Sequence, residues 1–268
     1  MSLKSAFWAE GGVPRTRLSA VATCDILGFS AMVRSAEKAG NADELLGRLK
    51  ATLDSWYDIN TDDKGFAGRR FWELKAFTDN LVMANPVQGD AVDQALAQVI
   101  SAVAGIQRGL ALEAGLFVRG GVAIGPAYVD NSLVYGSGLL DAHCREGEAH
   151  VPRVLLAGRA EDRAVHCARC SRQHSPLGGH VLRDEDGGLF VNYLESAWES
   201  GDERPNYDWL KRHRDLVSDA LERHKRDRRV LLKYVWVGRY HNHICSQIPD
   251  AGALGFPELG NLRASRIE

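Results

Sequence analysis

Leu18-Ser-Ala-Val-Ala-Thr-Cys-Asp25-Ile-Leu-Gly28-Phe-Ser30 is the most informative segment of the sequence. It begins with an apolar run that contains β-branched residues, which predicts a buried strand. Gly28 interrupts this run, and residues 31–38 follow with helical spacing. An acid therefore ends a strand where a helix begins, and the N–H groups of such a helix start can bind phosphate oxygens. Asp25 is thus a candidate to hold a divalent cation against a phosphate.

A second acid lies at a predicted hairpin tip, in Lys75-Ala-Phe-Thr-Asp79-Asn80. We predict strands over residues 70–77 and 80–84, joined at Thr78-Asp79. Two carboxylates on neighbouring strands, a phosphate-binding turn and a lysine are the groups that metal-assisted phosphoryl transfer uses. From the residues alone a plainer alternative stays open, in which Asp25 caps a helix and Asp79 caps a turn.

The remaining elements follow from apolar spacing. A long amphipathic helix is predicted over residues 90–114 and a strand over 116–124, followed after Gly125-Pro126 by a further short strand to about residue 129. The elements up to the strand over 116–124 give the order β-α-α-β-β-α-β. This order predicts an α/β (α+β) fold, an antiparallel sheet covered by helices, with helical and strand additions after it. Residues 171–187 are predicted to be a loop, and residues 230–240 fit either a helix or a strand. No linker is visible, so we predict one domain over residues 1–268, with a core of about 15–200 and a C-terminal extension of about 201–268.

Composition excludes several classes of protein. The 268 residues are 45% hydrophobic and 25% charged, and 33 basic residues against 35 acidic ones give a net charge of −2. A basic nucleic-acid binder is not expected at this charge. No run approaches the roughly 18 apolar residues of a membrane helix, and the N-terminus has no apolar region typical of a signal peptide. The five cysteines are unevenly spaced, so no disulfide framework is expected. We therefore expect a cytoplasmic protein without a membrane or nucleic-acid partner.

Four segments, in order from residue 18 to about 147, resemble the class III nucleotidyl cyclases. Asp25-Ile-Leu-Gly-Phe-Ser30 resembles their Asp-Ile-x-Gly-Phe-Thr segment, and Lys75-x-x-Thr78-Asp79 resembles their Lys-x-x-Gly-Asp hairpin. Arg119-Gly-Gly-Val-Ala-Ile-Gly125 is similar to their Arg-x-Gly-x-x-x-Gly strand, and Tyr135-Gly136 followed by Ala142 is similar to their later helix. The resemblance implies a βααββαβ domain that works as a homodimer, with active sites between the two protomers.

The resemblance also implies roles for individual residues. Asp25 and Asp79 would hold two divalent ions, Mn²⁺ or Mg²⁺, with the Ile26 carbonyl as a further ligand. The backbone amides of Leu27, Gly28, Phe29 and Ser30 would cradle the triphosphate. Lys75 would contact the base, with Arg70 or Trp72 on the same strand as alternatives. Arg145 lies one residue beyond the position of the transition-state arginine and is the candidate for that role. The 3′-hydroxyl of a nucleoside triphosphate would attack its own α-phosphorus and release pyrophosphate.

Three positions depart from the purine cyclases. Leu133 replaces the polar residue that reads adenine, Leu140 replaces the ribose-orienting asparagine, and Cys144 replaces the transition-state arginine. Together with Lys233-Tyr-Val-Trp236 and Tyr240-His-Asn242, the sequence is similar to the pyrimidine cyclases of Pycsar anti-phage systems. That likeness implies a cyclase that converts UTP to cyclic UMP, a second messenger for a separate effector protein. A cytidylate cyclase that makes cyclic CMP and a catalytically decayed nucleotide-binding sensor are the alternatives.

Overall fold

The computed structural model describes Phe7 and residues 13–61, 73–130, 132–170, 177, 179–195 and 205–267, with the backbone alone at 55–61 and 170. The strands are β1 Arg17–Ile26, β2 Glu73–Phe77, β3 Asn80–Pro86, β4 Val118–Val129, β5 Val134–Tyr135, β6 Val154–Leu156, β7 Val181–Arg183, β8 Leu189–Val191 and β9 Ser265–Arg266. The helices are α1 Phe29–Ala39, α2 Ala42–Thr61, α3 Val92–Gly109, α4 Ser137–Glu148, α5 Gly158–Cys170, α6 Tyr207–Arg223 and α7 Arg228–Cys245. A π-helical turn, Leu110–Ala114, extends α3, and a 3₁₀ turn covers Ala251–Leu254.

The strands form one sheet in the order β2-β3-β1-β4-β6-β8-β7-β9, with β5 paired to β4. The predicted α/β fold with β-α-α-β-β-α-β order is confirmed. The four strands of this unit, in the order β2-β3-β1-β4, are antiparallel as predicted, whereas β6, which lies after the unit, is parallel to β4. Helix α4 makes the crossover between them, which is what a parallel pair requires. Strand β1 lies at the centre of the first half, between β3 and β4, and both of these neighbours are antiparallel to it.

Helix α4 covers the face of β1 and β4 that carries their odd-numbered residues. Val21, Ala123 and Ala142 pack in one cluster on this face. The approach is close because glycines face the helix: a Cβ on Gly121 would lie 2.1 Å from the Ala142 carbonyl oxygen. The even-numbered residues of β1 face the larger core on the other side, together with α3. Asp25 is odd-numbered and therefore lies on the α4 face.

In the C-terminal additions, one prediction is wrong and one open alternative is decided. The predicted loop over residues 171–187 contains β7, which pairs with β8 and is too short to show a periodic pattern. Residues 230–240 are helical, as part of α7, which begins after Asp227 caps the N–H groups of Arg229 and Val230.

Two residues that contribute to the C-terminal likeness to the pyrimidine cyclases have packing roles in α7. Trp236 Nε1 donates to Asp184 Oδ2 at 3.0 Å, and Tyr240 Oη donates to Asn192 Oδ1 at 2.6 Å. Both contacts attach α7 to the second half of the sheet. This part of the resemblance is therefore explained by core packing.

One helical segment in the described ranges, Val92–Ala114, is long and apolar enough to span a membrane by length and composition. Its most apolar window is 67% buried inside the protein. It contributes Leu96, Ile100 and Val103 to the main core. This burial is typical of the central helix of a packed domain.

Candidate active site

The two acids singled out in the sequence lie on adjacent strands. Asp25 pairs in register with Asn80 of β3 on one side and with Arg119 of β4 on the other. The Ile26 N–H donates to the Asp79 carbonyl at 2.9 Å, so the end of β1 is attached to the β2–β3 hairpin tip. The structure therefore brings Asp25 and Asp79 to one end of the sheet.

The hairpin tip orients the Asp79 carboxylate. Thr78 Oγ1 and Asn80 Nδ2 donate to Asp79 Oδ1 at 2.8 and 3.0 Å. Both bonds end on one oxygen, so among the described residues Oδ2 has no partner that competes with a ligand. Thr78 adopts a φ of 54°, a left-handed conformation that costs a non-glycine residue about 1–2 kcal/mol. Thr78 occupies the position at which the class III cyclase hairpin has glycine. Glycine adopts a positive φ without this cost, which explains the glycine of that hairpin.

Arg119 forms an ion pair with Asp25. Its Nε lies 2.7 Å from Asp25 Oδ2, and the two side chains are 31% and 16% exposed, respectively. Sequence reasoning did not include Arg119 among the site residues, although it is the first residue of the segment Arg119–Gly125. The pair becomes visible only in the cross-strand register of the structure, where Arg119 lies directly opposite Asp25. Arg119 places a cation beside the carboxylate and can pair with either an acid or a phosphate.

The start of α1 supplies backbone donors next to Asp25. Gly28 precedes the helix with a φ of 74° and no side chain caps it. Because a helix has no carbonyl before its first turn, the N–H groups of Phe29, Ser30 and Ala31 have no acceptor within α1. They lie at the positive end of the helix dipole, where an anion is stabilised.

The Leu27 amide corrects the predicted phosphate cradle. It donates to the Phe117 carbonyl at 2.9 Å, which commits it to the protein. The Leu27 N–H is therefore not available to the predicted cradle, and the roles of Gly28, Phe29 and Ser30 in it stay predictions. We call Asp25, Asp79, Arg119 and the N-terminus of α1 the carboxylate site.

Lys75 lies on the same face of the sheet as Asp25. It pairs with Val82 of β3, which pairs with Thr23 of β1. Side chains at paired positions share a face and alternate residues return to it, so Lys75 is one row of the sheet away from Asp25. Its side chain is half-buried. The other two candidates for contact with the base, Arg70 and Trp72, lie outside the described residues.

Arg145 does not pair with either acid. Its Nε donates to the Leu156 carbonyl at 2.8 Å, and its guanidinium also pairs with Glu148 and lies 3.9 Å from Glu161. These contacts attach α4 to β6 and α5. The transition-state role of Arg145 stays a prediction, and it requires the guanidinium to leave these partners.

The positions that depart from the purine cyclases are on the surface. Leu133 and Leu140 are 53% and 66% exposed, and Cys144 is exposed. Leu133 follows a turn in which Asp130 Oδ1 accepts its N–H at 2.8 Å. These side chains offer no hydrogen-bonding group to a purine or a ribose, apart from the weak donor of the Cys144 thiol.

The donor set of the carboxylate site fits a hard divalent cation. Carboxylate and carbonyl oxygens are the ligands that Mg²⁺ prefers, and it is often bound by one or two carboxylates together with substrate phosphates. The described residues contain no cluster of three or more His, Cys, Asp or Glu side chains able to hold a metal. Burial raises the pKa of the Cys24 thiol, so this neighbour of Asp25 stays neutral. Asp25 and Asp79 could hold metal only with further oxygens from a ligand or the backbone.

Among the solved structures similar to this chain is a crystal structure of a class III adenylyl cyclase-like ATP-binding protein from Pseudomonas aeruginosa. The two share 14% identity with a TM-score of 0.41, over 56% of this chain and 36% of the other. This chain thus matches about a third of the length of that protein. No protein-family model matches the chain, and no curated protein sequence matches it.

Proposed function

We propose that this chain is a nucleotidyl cyclase that converts a pyrimidine nucleoside triphosphate, with UTP preferred, to its 3′,5′-cyclic monophosphate and pyrophosphate. The observation that carries the proposal is the meeting of Asp25 and Asp79 at one sheet end, beside the donor amides of α1. Arg119 adds a cation at the same place. Phosphoryl transfer is catalysed mainly by positioning and charge stabilisation, and these groups supply both.

The residues of the chain divide this work between them. The amides of Phe29 and Ser30 donate to phosphate oxygens, and Arg119 pairs with the phosphate charge. Asp25 and Asp79, with the Ile26 carbonyl, would hold two divalent ions. When bound, these ions lower the pKa of the attacking hydroxyl and neutralise charge on the phosphates.

We propose a homodimer, because one protomer leaves an apolar surface exposed next to the elements that resemble the base and ribose site. The exposed side chains are those of Leu133, Val134, Tyr135 and Leu140, with Phe77 at the hairpin tip. Isolated exposed apolar residues are ordinary, but Leu133–Tyr135 are consecutive and Leu140 follows on the next helix. A second copy of the chain is the occupant that the cyclase resemblance implies.

The base preference is argued from Leu133 and Lys75. An apolar, exposed Leu133 offers no partner to the polar edge of a purine. Lys75 only donates hydrogen bonds, and both carbonyls of uracil accept them, whereas the amino group of cytosine does not. One misplaced buried hydrogen-bond partner costs about 1–3 kcal/mol, so the preference for UTP over CTP would be moderate.

The experiment offers all four ribonucleoside triphosphates in equal amounts to the purified protein with Mn²⁺, and follows each by mass spectrometry. We expect UTP to be consumed first, and Lys75→Ala to narrow the gap between UTP and CTP. Equal use of the pyrimidines by the wild type, or an unchanged preference in the variant, would remove Lys75 from this role. Preferred consumption of a purine would contradict the pyrimidine assignment.

A catalytically decayed nucleotide sensor is the second candidate, favoured by Leu140 and Cys144 at the positions of the ribose and transition-state residues. It predicts nucleotide binding without a cyclic product. If the enzyme is active, we propose that its cyclic nucleotide acts in the cytoplasm on a separate effector in anti-phage defence. The likeness to the Pycsar cyclases supports that role.

A further inference from the structure

The first half of α7 lies beside the carboxylate site. The Tyr234 ring meets the Phe117 ring edge to face, with centroids 5.7 Å apart and planes at 77°. Phe117 immediately precedes β4, and its carbonyl is the acceptor of the Leu27 N–H. Residues next to Tyr234 in α7 are therefore held close to the ends of β1 and β4. Lys233, which immediately precedes Tyr234, is one of these residues.

Lys233 is half-buried, and among the described residues no carboxylate forms an ion pair with it. Burial lowers its pKa, and the positive charges of Arg119 and Arg229 lower it further, while the charges of Asp25 and Asp227 act in the opposite direction. These influences agree with the ring contact in placing Lys233 near the Asp25–Arg119 pair. Arg229 precedes Lys233 by four residues and so lies on the same side of α7.

Three cations thus share one end of the sheet with Asp25. Arg119 is paired with that carboxylate, and the charges of Asp79 and Asp227 offset those of Lys233 and Arg229, but Lys233 itself forms no ion pair among the described residues. An ammonium has three donors and no acceptor, so neighbouring cations cannot satisfy it, whereas phosphate oxygens can. A half-buried ammonium beside helix N–H groups that have no acceptor within their helix favours an anionic ligand.

We propose that Lys233, with Arg229 one helical turn earlier, binds the terminal phosphates of the triphosphate whose other phosphates meet the carboxylate site. The identity of the substrate rests on the proposed function. The group that Lys233 and Arg229 would bind is a polyphosphate, which is the same for every nucleoside triphosphate. The C-terminal extension would then complete the phosphate half of the site within the same protomer. This gives α7 a role beyond its packing against the sheet.

The test uses inorganic triphosphate as the probe, with Mg²⁺ and the full chain, and measures its affinity by isothermal titration calorimetry. We expect Lys233→Ala and Lys233→Gln to weaken binding by at least about tenfold, the scale of one charged contact. Lys233→Arg keeps the charge and should recover most of the affinity. Lys50→Ala is the matched control: this exposed lysine pairs with Asp54 on α2. Its removal should change the affinity by less than about twofold, because surface pairs contribute little.

The outcomes separate this inference from the proposed reaction. Unchanged affinity in Lys233→Gln, an equal loss in Lys50→Ala, or no binding of inorganic triphosphate by the wild type would each overturn it. A specific loss in the Lys233 variants supports it even if no nucleoside triphosphate is cyclised, in which case only the proposed reaction fails. Thermal melting of each variant checks that it is folded, and Gln is included because it retains much of the buried stem.

Discussion

Replacing Asp25 with asparagine should abolish cyclic nucleotide formation at a small cost in stability. The carboxylate of Asp25 is 16% exposed and its partner Arg119 31%. The pair therefore lies between a surface ion pair, which contributes about 0–1 kcal/mol, and a buried charged hydrogen bond, which contributes about 1.5–3 kcal/mol. Asparagine keeps an oxygen that can accept from Arg119 Nε and loses only the charge. We expect a loss of about 1 kcal/mol, which lowers the melting temperature by about 2–4 °C in a chain of this size.

The assay measures melting temperature and cyclic product with saturating Mn²⁺. Asp93→Asn is the control, because Asp93 forms a similar part-buried pair with Arg163, between α3 and α5. The hydrogen bond from Arg163 holds the pKa of Asp93 below its usual value, so its loss should cost comparable stability with turnover unchanged. Retention of more than about a tenth of wild-type activity by Asp25→Asn would refute the metal assignment, since a lost metal ligand typically removes most of the rate. An equal activity loss in Asp93→Asn would mean that the effect was not specific to the site.

Asp79→Asn should also abolish turnover while the melting temperature stays nearly unchanged, because the carboxylate bonds only its neighbours Thr78 and Asn80 among the described residues; an active variant would count against its role. Gly121→Ala should destabilise the fold by about 1–3 kcal/mol, since its Cβ would lie 2.1 Å from the Ala142 carbonyl oxygen; an unshifted urea midpoint would contradict this packing. Burial lowers the pKa of His241 from 6.5 to about 4, so its neutral form stabilises the fold fully above pH 6.5 and this contribution is lost as the pH falls toward 4. Burial also lowers the pKa values of His213 and His243, which add their own losses over the same pH range. Between neutral pH and about pH 5, urea unfolding should therefore show a loss of stability about 2 kcal/mol larger for the wild type than for His241→Gln, and equal pH dependence of the two proteins would refute it.

The sequence predicted that the two acids lie close together, because each acid lies where one predicted secondary-structure element ends. Asp25 separates an apolar strand from a helical pattern, and Asp79 lies in a turn between two strand patterns. Antiparallel pairing then places both at one sheet end without further information. The positive φ of Thr78 was not visible, because threonine carries no signal for that conformation.

The features that sequence reasoning missed depend on contacts between distant elements. The pairing of Arg119 with Asp25 requires the register of β1 against β4. The hydrogen bond from the Leu27 N–H to the Phe117 carbonyl can be predicted only if the first residue of β4 and its position beside β1 are known. The partners of Arg145 can be predicted only if the packing of α4 on β6 is known. The three-residue strand β7 has too few positions to show alternation. Each is a tertiary contact that periodicity and local propensity do not contain.

The measurement that tests the central claim most directly is the product balance of the reaction with UTP. Purified protein is incubated with UTP and Mn²⁺, and the nucleotide product and pyrophosphate are quantified separately over time, with Asp25→Asn in parallel. We expect 3′,5′-cyclic UMP and pyrophosphate in equal amounts from the wild type and neither from the variant. Formation of linear UMP or UDP, or the absence of any cyclic nucleotide, would contradict it.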